Sequence, residues 1–165
     1  MTATLLLKNA LVIGTMDDQL RELANASVFI RGNKVEAVGP ASELPSEADK
    51  VIDMTGHVLI PGLINTHHHM FQSLTRALPA AQNAELFDWL TALFPVWQNI
   101  TPAMQRAATR TAMAELMLSG CTTAADHAYL YVNGTRLDDS VQAAEEMGMR
   151  FHAVRGAISL GQSQG

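Results

Sequence analysis

The sequence predicts an α/β chain in two parts: a small β-segment over residues 1–60, then alternating strands and helices over residues 61–165. Three observations carry that expectation. Short β-prone runs separated by turn residues fill the first part. In the second part the apolar spacing switches between the period of a strand and that of a helix. Between them stands Pro61-Gly62-Leu63-Ile64-Asn65-Thr66-His67-His68-His69-Met70, which passes from a turn pair through an apolar stretch into three histidines.

In the first part, Thr4 to Ile13 is a β-like run interrupted at Asn9, followed by a polar loop over Met16–Glu22. Ala26 to Arg31 then meets Lys34 to Val38 across Gly32-Asn33, a hairpin signal because glycine takes positive φ without strain. Pro40 and residues 42–50 read as a surface loop, and Val51–Asp53 and His57–Ile60 as two more short strands around Thr55-Gly56. Five short strands make a small sandwich with open edges and a thin core.

In the second part, Gly62 to His67 is expected to be a strand. Leu86–Trp97 has helical spacing interrupted by Pro95. Thr101-Pro102 starts the next helix, with threonine as the cap and proline at the first helical position, and Gly120 stops it after about Ser119. Cys121–Asp126 reads as a buried strand, Ser140–Met147 as an amphipathic helix ended by Gly148, and Arg150–Arg155 as a further strand. That order implies right-handed parallel units. The methionines at 104, 113, 117, 147 and 149 are read as core filler. Gly161-Gln162-Ser163-Gln164-Gly165 reads as a loop.

Composition narrows the function classes. An apolar content of 48% with 16% charged residues describes a well-buried globular chain. A net charge of −5 without a basic cluster argues against nucleic-acid binding. The single cysteine, Cys121, forms no internal disulfide. Leu5-Leu6-Leu7 is too short for a membrane span and lacks the flanks of a signal peptide, so no membrane partner and a cytoplasmic location are expected.

The histidines carry the chemistry. On a strand, side chains alternate between faces, so Leu63, Asn65, His67 and His69 share one face and Ile64, Thr66 and His68 the other. Two imidazoles two residues apart at a strand end can face one divalent metal at roughly 2.0–2.1 Å. The bland alternative is a histidine run that caps a strand in solvent.

Pro-Gly-Leu-Ile-Asn-Thr-His-His-His resembles the first barrel strand of the amidohydrolase superfamily, whose pattern is Pro-Gly-x-x-(Asp/Asn)-x-His-x-His. The resemblance implies the N-terminal part of a (β/α)8 TIM-type barrel preceded by a β-sandwich segment. An eight-unit barrel takes roughly 250 residues, so only about three units fit here and the barrel is expected to be incomplete. It further implies His67 and His69 as ligands of one divalent metal, zinc, with iron as the alternative. The remaining ligands and the proton-transfer residues are expected beyond Gly165. The segments His69 to Arg76, Pro79 to Leu90, and Gly120-Cys121-Thr122-Thr123 with Asp126-His127 are similar to the 8-oxoguanine deaminase group of the deaminase and chlorohydrolase branch. That implies hydrolytic deamination of a purine-like ring by metal-activated water, with a small heterocyclic substrate as partner. An s-triazine or guanine amidohydrolase of the same branch, or a non-catalytic truncated fragment, are the alternatives. Exposed strand edges would also invite homo-oligomers.

Gln72 offers a donor and an acceptor to a purine's amide edge, or is a surface glutamine. His127 contacts substrate or a neighbouring loop. Asp126 is read as support for a strand end or helix cap, Cys121 as a small buried hydrophobe, and His57 and His152 as structural histidines. Trp89 and Trp97 are read as packing residues, and Arg76 as a solvated charge.

Overall fold

A computed structural model describes residues 2–157. The chain divides into two compact units, Met1–Pro61 and Gly62–Gly165. The terminal loop expected over 161–165 lies outside the described residues.

The first unit is built on strand β1 (Thr4–Gly14). Strand β2 (Glu22–Arg31) pairs antiparallel with it, and β3 (Lys34–Pro40) pairs antiparallel with β2. The connecting turn has Gly32 at φ +61°. On the other edge of β1 lie two short parallel strands, β4 (Lys50–Asp53) beside its first half and β5 (Val58–Leu59) beside its second. Asn9 does not break β1. It takes a left-handed φ of 63° where the register slips between Leu7 and Ala10, a bulge that asparagine tolerates well. Its N–H donates to Ser27 Oγ and its side-chain amide to Asp53 Oδ1. Ala10, Ile13, Ala26 and Val28 form the core. These strands make one five-stranded sheet; a second sheet that would turn it into a sandwich is not among the described residues.

In the second unit, β6 (Leu63–Asn65), β7 (Cys121–Ala128) and β8 (Arg150–Arg155) form a parallel sheet in sequence order. Helices α1 (Leu86–Trp97) and α2 (Pro102–Leu118) lie between β6 and β7 in the chain, and α3 (Leu137–Met147) between β7 and β8. Thr101 Oγ1 accepts the Met104 N–H, and Gly120 and Gly148 take φ of 87° and 71° after their helices.

Several local expectations change. Pro95 lies inside α1 without ending it. Proline near a helix's last turn forfeits a single intrahelical bond, and packing of Leu93 and Trp97 against Phe71 and Ile100 holds the turn. Helix α3 starts three residues before Ser140, because the Asp139 carboxylate reaches back to accept the Arg136 N–H at 2.8 Å. Strand β7 runs two residues past Asp126. Of the methionines, Met113 and Met149 are core, whereas Met104 and Met117 are exposed. Gly62 serves a packing need rather than a turn. A Cβ there would overlap the Thr122 side chain, so glycine is what lets β6 lie against β7.

Candidate metal centre

Strand β6 is shorter than the alternation argument assumed. Asn65 Oδ1 accepts the His67 N–H at 2.9 Å, a local side-chain bond that takes the chain out of the ladder after residue 65. His67 and His69 therefore stand just beyond the strand end, yet their ring centroids are 5.3 Å apart and nearly perpendicular, at 83°. His67 is exposed and His69 half-buried.

The tip of β7 borders this pair. His69 Nδ1 lies 2.8 Å from the His127 carbonyl oxygen, and the His127 N–H donates to the His68 carbonyl at 2.9 Å. The His127 ring, exposed, lies 5.5 Å from that of His69. A Cβ on Gly156 would overlap this ring, so glycine at 156 leaves it room. Asp126 is fully buried, and its Oδ1 accepts the Met70 N–H at 2.9 Å. Its Oδ2 is buried without a partner among the described residues. Burial holds this carboxyl above the usual carboxylate range, against the opposing pull of the Met70 N–H and the two nearby histidines. The expected capping role of Asp126 is what its hydrogen bond performs, on the 3₁₀ segment Met70–Thr75.

His68 is half-buried, and its Nδ1 has no partner among the described residues. Burial lowers its pKa, with Arg76 and Glu115 among the charges around it. Gln72, on the 3₁₀ segment, donates from Nε2 to the Tyr129 hydroxyl oxygen at 2.6 Å. Tyr129 was not singled out from the sequence. Its ring meets His69 edge-on at 5.1 Å and Phe71 at 5.3 Å, and burial pushes its phenol pKa up. Its signal was an aromatic two residues past His127, where the strand has just ended.

The other candidates lie elsewhere. Cys121 is buried at the start of β7, its thiol bonded to the Thr123 carbonyl. His152 is exposed on β8, and His57 belongs to the first unit, its Nδ1 3.0 Å from the Thr55 carbonyl. Trp97 is fully buried and donates to Thr75 Oγ1, with Trp89 packed edge-on against it. Arg76 pairs with Glu115 at the surface. Among the described residues no three His, Cys, Asp or Glu side chains converge as a ligand set. His67 and His69 thus fit a divalent metal by donor chemistry and proximity, as two neutral imidazoles of a sphere that takes further groups.

Residues 58–164 match the model of the amidohydrolase family. The chain belongs to the amidohydrolase family. It is 44% identical over 161 residues to an 8-oxoguanine deaminase from Pseudomonas aeruginosa, covering 96% of this chain and 35% of that protein. It is 37% identical to an isoxanthopterin deaminase from an unknown prokaryotic organism, covering 93% of this chain and 33% of that one. Among solved structures, atrazine chlorohydrolase from Arthrobacter aurescens TC1, complexed with zinc, superposes with a TM-score of 0.88 at 31% identity, over 98% of this chain and 37% of that one. The chain therefore spans about a third of the length of the relatives it matches. No helix among the described residues is long and apolar enough to cross a membrane.

Proposed function

We propose that this amidohydrolase chain is the N-terminal portion of a metal-dependent hydrolytic deaminase that acts on a purine-like ring such as 8-oxoguanine and releases ammonia. The observation that carries the reading is the juxtaposition of the His67 and His69 rings at the end of β6, in a chain whose relatives include an 8-oxoguanine deaminase. His67 and His69 hold a divalent metal, zinc before iron, and further strands of a (β/α)8 barrel bring the remaining ligands and the proton-transfer groups. The chemistry such a metal supplies is Lewis acidity and a bound water whose pKa falls toward ~7. Gln72 meets the ring: its Nε2 is taken by Tyr129, while its amide oxygen accepts no hydrogen bond among the described residues and is open to a ring N–H. His127 lines the same mouth. Leu63 and Ile64, on opposite faces of β6 and 52% and 68% exposed, are left for further barrel strands or a second copy to cover.

A second reading, an s-triazine hydrolase, is favoured by the TM-score of 0.88 to an atrazine chlorohydrolase. Ammonia release by the full-length protein from 8-oxoguanine, guanine and an aminotriazine separates the two: preference for the triazine overturns the purine reading. Metal content tests the ligands. His67→Ala and His69→Ala are each expected to lose bound metal, and His68→Ala to keep it. Full metal content in both of the first two variants would sink the assignment.

A further inference from the structure

Three hydrogen bonds tie the tip of β7 to the three residues around His69. The His127 N–H binds the His68 carbonyl at 2.9 Å, the His127 carbonyl meets His69 Nδ1 at 2.8 Å, and Asp126 Oδ1 accepts the Met70 N–H at 2.9 Å. The first and third have a joint effect. The His68 carbonyl belongs to the peptide plane before His69, and the Met70 N–H to the plane after it. Peptide planes are rigid, so anchoring both fixes φ and ψ of the residue between them. His69 sits at φ −131°, ψ 84°. The second bond fixes the ring. A carbonyl oxygen carries no proton, so Nδ1 must supply it, and the lone pair of the neutral imidazole is left on Nε2.

Two of the three bonds are made by the main chain of His127, which any substitution other than proline leaves in place. Asp126 makes the third with a side chain that is fully buried and leaves one oxygen without a partner among the described residues. That bond is the one β7 makes to this turn with a side chain, and the N–H it holds belongs to the residue next to His69. We propose that Asp126 is a positioning residue for His69: by anchoring Met70 it completes a clasp that sets the backbone and ring tautomer of His69 before any metal arrives. This rests on the reading of His69 as a metal ligand. It assigns Asp126 no contact with metal or substrate.

The test uses the metal-free protein and zinc itself. Imidazole nitrogen shifts are recorded at about pH 8, and the His69 signals are assigned by their loss in His69→Ala. The wild type is expected to show His69 as the Nδ1–H tautomer without metal. In Asp126→Ala the Nε2–H form appears, and zinc affinity, measured against a chromophoric chelator, falls roughly 10–100-fold, the usual effect of removing an outer-shell partner. Asp126→Asn keeps an acceptor for the Met70 N–H and restores both readings toward wild type. An Nε2–H His69 in the wild type overturns the proposal, even where Asp126→Ala fails to fold. So does an Asp126→Ala protein that melts earlier but keeps tautomer and zinc affinity while His69→Ala loses zinc. If His69→Ala binds zinc like the wild type, the ligand reading itself fails and the positioning role falls with it.

Discussion

Gly62→Ala probes how closely the histidine-bearing strand must approach its neighbour. A Cβ built on Gly62 would overlap both Cγ2 and Oγ1 of Thr122 and would stand 2.8 Å from Thr122 Cβ. Turning Thr122 about χ1 exchanges one branch for another and leaves Cβ where it is. Relief must therefore come from the backbone, with β6 moving away from β7 where their pairing begins, at Leu63 opposite Cys121. The Leu63 N–H bond to the Gly120 carbonyl, 2.9 Å long, lies at that point and is strained with it. Overpacking of this kind costs about 1–3 kcal/mol, and a weakened hydrogen bond adds about 0.5–1.5. In a unit of roughly 100 residues each kcal/mol moves Tm by about 4–8 °C, so the combined cost of about 1.5–4.5 kcal/mol corresponds to a fall of roughly 6–36 °C. Thermal unfolding followed by circular dichroism measures it. Thr122→Gly removes the obstructing Cβ, so in a double-mutant cycle the Gly62→Ala penalty should shrink by at least ~1 kcal/mol in that background. Thr122→Ala keeps Cβ and should rescue less. A Tm for Gly62→Ala within ~2 °C of wild type, or a penalty unchanged by Thr122→Gly, would refute the steric argument.

Two further perturbations separate buried from exposed polar contacts. Between α2 and α3, the buried Gln105 donates to Ser140 Oγ at 2.9 Å, with Thr109 Oγ1 at 3.2 Å from the same atom. Ser140→Ala should lower stability by about 1–3 kcal/mol in chemical denaturation by orphaning the Gln105 amide, and adding Gln105→Leu should recover most of it; equal losses in the single and double variants would contradict this. The Arg76–Glu115 pair is shorter, at 2.6 Å, but its side chains are 58% and 52% exposed. Arg76→Ala should therefore cost less than ~1 kcal/mol, and less again at high salt.

How much of this was legible in the sequence depended on the range of the interaction. Thr101-Pro102, Gly120, Gly148 and Gly32 act on their own neighbours, and each does locally what its residue type suggests. Gly62 looked like one more turn glycine, but its reason lies in Thr122, sixty residues on. Asn9 looked like a strand break because its effect, a bulge, needs the register with β2 to be seen. Pro95 looked like a helix end because its compensation comes from an aromatic cluster assembled across the fold.

The candidate centre divides the same way. The identity and spacing of His67 and His69 are local and could be read directly, although the strand assumed to align them ends at Asn65. Their orientation is non-local. What turns the His69 ring and holds its backbone comes from residues 126 and 127, and what flanks it comes from Tyr129. A His-x-His pair is common in sequences and says little alone. A pair whose second ring is tied through Nδ1 to the neighbouring strand, with both adjoining peptide planes anchored, differs physically, because its donor orientation is settled before a ligand binds and less ordering entropy is lost when one does. Motif and clasp are separable, so if the histidines are metal ligands as proposed, a chain that kept them but lost the bonds from β7 is expected to keep the signature and bind zinc more weakly, which a chelator competition measures.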